Sequence, residues 1–174
     1  MASLSISSGV IAKTPLRAAP LLMDRHGRTI TDLRISITDR CNYRCVYCRT
    51  GSEDARYSEL PIADYLRLAR IFVDLGIQKV RLTGGEPLLR RGLTDLIRGL
   101  AELRTRLSGE ALDLAVTTNG HLLEDQATRL KDAGLSRVTV SMDAVDSETF
   151  TRITRVPGSF EKVQRGIIAA KNAD

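Results

Sequence analysis

Leu33-Arg34-Ile35-Ser36-Ile37-Thr38, running without a break into Asp39-Arg40-Cys41-Asn42-Tyr43-Arg44-Cys45-Val46-Tyr47-Cys48, decides how the rest of the chain is read. The first six residues alternate apolar and polar, the period of a strand with one buried face. The next ten carry every cysteine of the 174-residue chain. An odd number of cysteines so close together is a poor disulfide framework, so metal or redox chemistry is favoured. The spacing Cys-x3-Cys-x2-Cys lets one compact loop wrap three thiolates around one cluster and leaves a fourth position open. A structural zinc site wants four protein ligands, and His26 and His121 do not supply a second pair at zinc-site spacing. Buried or incidental thiols and a zinc-binding or scaffold domain without catalysis are the alternatives.

Outward from that loop, strand and helix patterns alternate. Ile62, Leu66, Ala69, Phe72 and Val73 recur at helical spacing behind Pro61, which suits a first helical position, and Gly76 stops a helix of about 62 to 75. Lys79-Val80-Arg81-Leu82-Thr83 reads as a strand closed by the sharp turn Gly84-Gly85-Glu86-Pro87. A second helix is expected at about 93 to 106, then a strand at 112 to 117, a turn at Thr118-Asn119-Gly120, a helix at about 123 to 133 and a strand at 137 to 142. Helices at about 147 to 153 and 160 to 172 complete a series whose spacing demands parallel strands joined by crossovers. The fold class is α/β, a partial (β/α) barrel of about four parallel strands with crossover helices. A closed barrel has eight strands and about 250 residues, so the chain reads as truncated, with an open sheet edge or residues missing.

Composition limits the function classes. Hydrophobic residues at 43% and charged residues at 27% are ordinary for one globular domain. No apolar run approaches the roughly 20 residues of a membrane span and no secretion signal is evident, so the expected location is cytoplasmic. The net charge of +5 comes from 26 Lys plus Arg against 21 Asp plus Glu, scattered along the chain. With three Phe, four Tyr and no Trp there is little base-stacking surface, so an anionic small ligand fits better than nucleic acid. Residues 1–22, rich in Ser, Ala and Thr, read as a flexible N-terminal extension ahead of a core at 23–174.

Thr38-Asp39-Arg40-Cys41-Asn42-Tyr43-Arg44-Cys45-Val46-Tyr47-Cys48 and Gly84-Gly85-Glu86-Pro87 together resemble the radical S-adenosylmethionine (SAM) superfamily. Leu33 to Asp39, Val80 to Arg91, Val116-Thr117-Thr118-Asn119-Gly120 and Val140-Ser141-Met142-Asp143-Ala144 are similar to one family within it, the GTP 3′,8-cyclases of molybdenum cofactor (molybdopterin) biosynthesis. The likeness covers about residues 24 to 174 and makes this chain the N-terminal half of such a core.

The resemblance implies a [4Fe-4S] cluster on Cys41, Cys45 and Cys48 whose open iron is chelated by SAM. It implies a lyase: a 5′-deoxyadenosyl radical takes the C3′ hydrogen of GTP, giving (8S)-3′,8-cyclo-7,8-dihydroguanosine 5′-triphosphate, with a reducing electron donor as partner. Tyr47, Gly85 and Ser141 correspond to SAM contacts. Arg34, Arg81 and Thr117 correspond to GTP contacts, and the arginines suit a triphosphate because guanidinium offers forked, charge-assisted hydrogen bonds. The glycines have a further reason, since a side chain there would block close approach of the backbone to a ligand. No catalytic residue is implied beyond the cluster and SAM ligands. The chain departs from the family in having Arg49-Thr50-Gly51 after the third cysteine, where an apolar residue and proline are common. It also has no cysteine after Cys48, so the family's second, C-terminal [4Fe-4S] cluster, which holds the guanine, is not encoded. A homodimer or a missing C-terminal half are the protein partners to consider. A different radical SAM activity, peptide modification, is the other enzyme reading.

Overall fold

The computed structural model describes residues 20–48 and 58–173. Four strands, β1 (Asp32–Ser36), β2 (Lys79–Thr83), β3 (Asp113–Thr118) and β4 (Arg137–Val140), form one sheet in the order β1-β2-β3-β4, and every pair is parallel. Five helices connect and follow them: α1 (Ile62–Asp74), α2 (Leu93–Ala101), α3 (Leu123–Asp132), α4 (Ser147–Thr154) and α5 (Ser159–Asn172). Sequential order with crossovers of one hand puts the helices on one face and curves the sheet into part of a barrel, leaving the other face as an open lumen.

Strand alternation assigns the two faces. Val80, Leu82, Leu114 and Val116 are buried against the helices, while Arg34, Arg81, Thr117 and Thr139 occupy the opposite positions. From the helical side, Tyr65, Ala69 and Val73 of α1, Leu96, Ile97 and Leu100 of α2, and Leu123, Ala127 and Leu130 of α3 close the core. Each set recurs at three- and four-residue spacing, the stripe that one helix face presents.

The expected elements hold with local differences. Pro61 stands as the N-cap of α1, one position ahead of the helix proper. β1 and β4 close earlier than their patterns extend, although Ile37 N still donates to Thr83 O (2.9 Å) and Ser141 N to Thr118 O (2.9 Å). α2 stops at Ala101 rather than near 106. Its tail instead turns back on itself: Arg104 bridges Ala111 antiparallel, Thr105 N donates to Glu110 O at 2.8 Å, and Gly109 takes φ 75° at the bend. A β-branched Thr105 with a hydroxyl bonded to Ser108 (2.7 Å) prefers that turn to another helical one.

Of the N-terminal extension, residues 1–19 lie outside the described residues. Leu22 hydrogen-bonds Leu75 O (3.0 Å), and Leu21 covers Gly76.

Candidate active site

The cysteine loop leaves the carboxyl end of β1 and is pinned to the last turn of α4, where Arg44 N donates to Thr154 O (3.2 Å) and Val46 N to Ile153 O (2.9 Å). Tyr43, between the first two cysteines, is buried and packs edge-on against Phe150, which meets Phe160 in the same way. The aromatic cluster therefore anchors the loop by its middle. None of the three cysteines is in a disulfide; Cys41 is buried, Cys45 half-buried and Cys48 exposed. Burial pushes the Cys41 and Cys45 thiols up, and neighbouring thiolate charge adds to this: Cys45 and Cys48 act on Cys41, and Cys48 on Cys45.

Among the described residues no group of three or more His, Cys, Asp or Glu is gathered closely enough for a single metal ion. A [4Fe-4S] cube takes one thiolate on each of three irons, and Cys41, Cys45 and Cys48 offer that donor set from one loop, none of them in a disulfide.

The Gly84-Gly85 turn abuts this loop directly. A Cβ on Gly84 would run into the Thr38 carbonyl oxygen, and one on Gly85 into the Arg40 carbonyl. Gly85 N donates to Thr38 O (2.8 Å) and Glu86 N to Arg40 O (2.7 Å). The sequence suggested room for a ligand; what the missing side chains admit in this structure is the backbone leading into Cys41.

Glu86, fully buried, binds the turn to its surroundings. One carboxylate oxygen accepts from Leu88 N (2.9 Å) and Thr118 Oγ1 (2.7 Å), and the other from Asn119 N (2.7 Å). Asn119 Nδ2 in turn donates to Asn42 Oδ1 (2.8 Å), next to Cys41. Loops after β1, β2 and β3 are thus joined in one polar network.

His121 sits beside that network, 3.3 Å from Tyr43 Oη through Nδ1 and 3.2 Å from Lys162 Nζ through Nε2. An ammonium can only donate, so Nε2 accepts and Nδ1 carries the hydrogen toward Tyr43. Burial, and then the Lys162 charge, hold His121 below its ordinary 6.5. The unfolded chain therefore binds more protons, and the stabilisation is complete above pH 6.5 and lost as pH falls through the folded value. Urea midpoints at pH 7.5, 6.5 and 5.5 should converge for wild type and His121→Gln at the acid end; a constant gap would contradict this.

The three positions matched to SAM contacts lie at the carboxyl ends of the strands: Tyr47 in the cysteine loop, Gly85 after β2, Ser141 after β4. This is the edge on which such barrels place their active sites. Tyr47 is 64% exposed, and its phenol donates to Asp143 Oδ2 at 2.7 Å.

The three positions matched to GTP share the lumen face. Arg34 pairs directly with Arg81 across the strands, and the register continues through Ala115 to Arg137. Like charges so placed repel. Lys79 has Asp32 at 4.0 Å and Arg137 has Asp113 at 2.6 Å, whereas neither Arg34 nor Arg81 is in an ion pair among the described residues. Arg81 Nη1 donates instead to the hydroxyls of Thr117 (3.1 Å) and Thr139 (3.0 Å). A hollow of ≈ 380 Å³ toward the amino ends of the strands is lined by Arg34 and Arg81 together with Asp32, Lys79, Asp113 and Arg137. Thr117 therefore contacts Arg81, and Thr139 is a partner that the sequence reading missed, although its period-two position relative to Arg137 was a usable signal.

The family model of the radical SAM superfamily matches residues 35–174. Among curated relatives, a probable GTP 3′,8-cyclase of Methanocella arvoryzae is 44% identical over 150 residues, which are 86% of this chain and 46% of that one. The GTP 3′,8-cyclase of Corynebacterium glutamicum is 50% identical over 139 residues, 78% of this chain and 37% of the relative. The chain spans less than half the length of these relatives. Among solved structures, HydG, a maturase of the [FeFe]-hydrogenase, superposes with a TM-score of 0.65 at 15% identity, over 82% of this chain and 32% of its own. Native anSMEcpe with bound AdoMet and a peptide gives 0.60 at 22%, over 82% and 40%. At such identity these two speak for the fold alone.

Proposed function

The chain belongs to the radical SAM superfamily, and on that premise we propose that it serves as the N-terminal half of a GTP 3′,8-cyclase core, residues 23–174. The observation that supports the substrate is the opposed pair Arg34 and Arg81, neither in an ion pair among the described residues, on strands whose carboxyl ends lead to the cysteine loop and the Gly-Gly turn. Two adjacent guanidiniums facing a hollow are stabilised by an anion with several oxygens, and a triphosphate offers that.

In this reading Cys41, Cys45 and Cys48 hold a [4Fe-4S] cluster and leave one iron for SAM. Such a cluster and SAM, when bound, would supply one-electron chemistry at the ribose of GTP, with the electrons drawn from the reductant. The protein's residues supply placement. Gly85 presents backbone to the SAM amino group, Ser141 and the Tyr47 backbone line the rest of the SAM seat, and Arg34, Arg81 and Thr117 fix the phosphates below. Thr117 does so partly by orienting Arg81. The partners are GTP and a reductant, and the location is the cytoplasm; no helix among the described residues is long and apolar enough to cross a membrane.

Charge-assisted bonds of roughly 1.5–3 kcal/mol each imply that Arg81→Ala weakens GTP binding by about 10- to 100-fold while guanosine binding stays the same. Calorimetry with GTP, GMP and guanosine on the reconstituted protein reads this out. Equal affinity for guanosine and GTP in wild type would overturn the assignment of the arginines.

A further inference from the structure

Tyr47 and Asp143 meet across 96 residues of sequence, phenol to carboxylate at 2.7 Å. Tyr47 lies in the turn that Cys48 N closes onto Cys45 O (3.0 Å), and Asp143 lies two residues beyond Ser141 in the loop after β4. β1 and β4 are the two edges of the sheet, so this bond ties a loop from one edge to a loop from the other over the mouth of the lumen. Asp143 is preorganised for that role. Its loop is fixed at one end by Ser141 N on Thr118 O (2.9 Å), and at the other by Asp146, whose carboxylate accepts from Thr149 N (2.8 Å) and caps α4. Tyr47 is 64% exposed, so burial does not hold its ring in place; its phenol is held by Asp143 and by a contact with the Cys45 thiol.

We propose that Asp143 is a positioning residue for SAM, holding the Cys45–Cys48 turn through Tyr47 against the loop that carries Ser141, so that the adenosyl group is gripped between two fixed loops. The inference rests on the radical SAM reading above and adds a residue to it. Asp143 need not touch the ligand. It removes freedom from the Tyr47 backbone before the ligand arrives, and a seat ordered beforehand binds more tightly.

Equilibrium dialysis of SAM against the cluster-loaded protein tests this, with iron content and thermal melts as controls. Asp143→Ala and Tyr47→Phe should each raise the SAM Kd by roughly 5- to 10-fold at unchanged iron, as expected for loss of one charge-assisted hydrogen bond. The double variant should be no worse than Tyr47→Phe alone, because that change has already removed the bond that Asp143→Ala removes. Asp143→Asn, which keeps an acceptor oxygen, should recover much of the affinity. In 5′-deoxyadenosine formation the KM for SAM should rise while kcat at saturation changes by less than about 2-fold, the pattern of lost binding alone. SAM affinity unchanged in Asp143→Ala, beside a wild type that binds SAM, would overturn the inference and leave the reading standing. Loss of iron in the variants would also overturn it, since the bond would then shape the cluster site instead. A wild type with a full cluster and no SAM binding would overturn the reading itself.

Discussion

Gly85→Ala should unfold the protein at markedly lower urea and leave it unable to retain iron. The added Cβ would meet the Arg40 carbonyl, with the Arg40 carbon at 2.7 Å and Asp39 O at 2.8 Å, all of them backbone atoms that cannot swing aside. Relief requires moving either the turn or the strand exit, and either movement breaks Gly85 N to Thr38 O and Glu86 N to Arg40 O. Overpacking of this kind costs about 1–3 kcal/mol, and two lost hydrogen bonds add to it. Cys41 is the next residue after Arg40, so the displacement reaches the first ligand undamped. Gly109→Ala is the matched control: its φ of 75° makes an alanine strained, but nothing stands within 4 Å of the new Cβ. It should lose about 1 kcal/mol and keep its iron. Equal iron in the two variants would contradict the packing account.

Glu86→Ala is expected to be as damaging from the polar side. Its carboxylate satisfies Leu88 N, Thr118 Oγ1 and Asn119 N in a fully buried position, and each donor left without a partner there costs about 1–3 kcal/mol. A loss of at least roughly 3 kcal/mol in urea unfolding follows, together with a slack Asn119 that no longer holds Asn42. Glu86→Gln is not a rescue, because its amide nitrogen can only donate and would face groups that also donate. Burial holds the Glu86 carboxyl above its ordinary 4.5, against the pull of the three hydrogen bonds. The folded state thus binds more protons than the unfolded one, and stability declines as pH rises from about 4.5 through the folded value. That slope should be absent from Glu86→Gln, and its persistence there would assign it to another group.

The frame of the molecule was legible because burial follows a period. Val80 and Leu82 alternate with Arg81 and Thr83, and β2 begins and ends where that alternation does. In the structure the same alternation puts Arg34, Arg81 and Thr117 on one face of the sheet, whereas in the sequence they stood out only through the family resemblance. Where periods compete it failed: the leucines of α2 continue into Leu103 and Leu107, but Thr105, Ser108 and Gly109 make a turn that satisfies its own backbone. The cysteine loop and the Gly-Gly turn were visible as motifs, yet the reason for the glycines lay in the neighbouring backbone.

The bonds from Glu86 to Asn119, from Asn119 to Asn42 and from Tyr47 to Asp143 join loops that are 33, 77 and 96 residues apart. No local pattern encodes such meetings. They follow from the parallel order of the strands, which brings every strand's carboxyl end to the same rim.

The most direct test of a SAM-cleaving cluster on Cys41, Cys45 and Cys48 is anaerobic reconstitution with iron and sulfide, followed by reduction in the presence of SAM and assay for 5′-deoxyadenosine. A protein with about four irons, the content of one cube, that forms deoxyadenosine, beside a Cys45→Ser variant that does neither, is the predicted result. A folded protein that retains zinc, or that carries a cluster and leaves SAM intact, would contradict it.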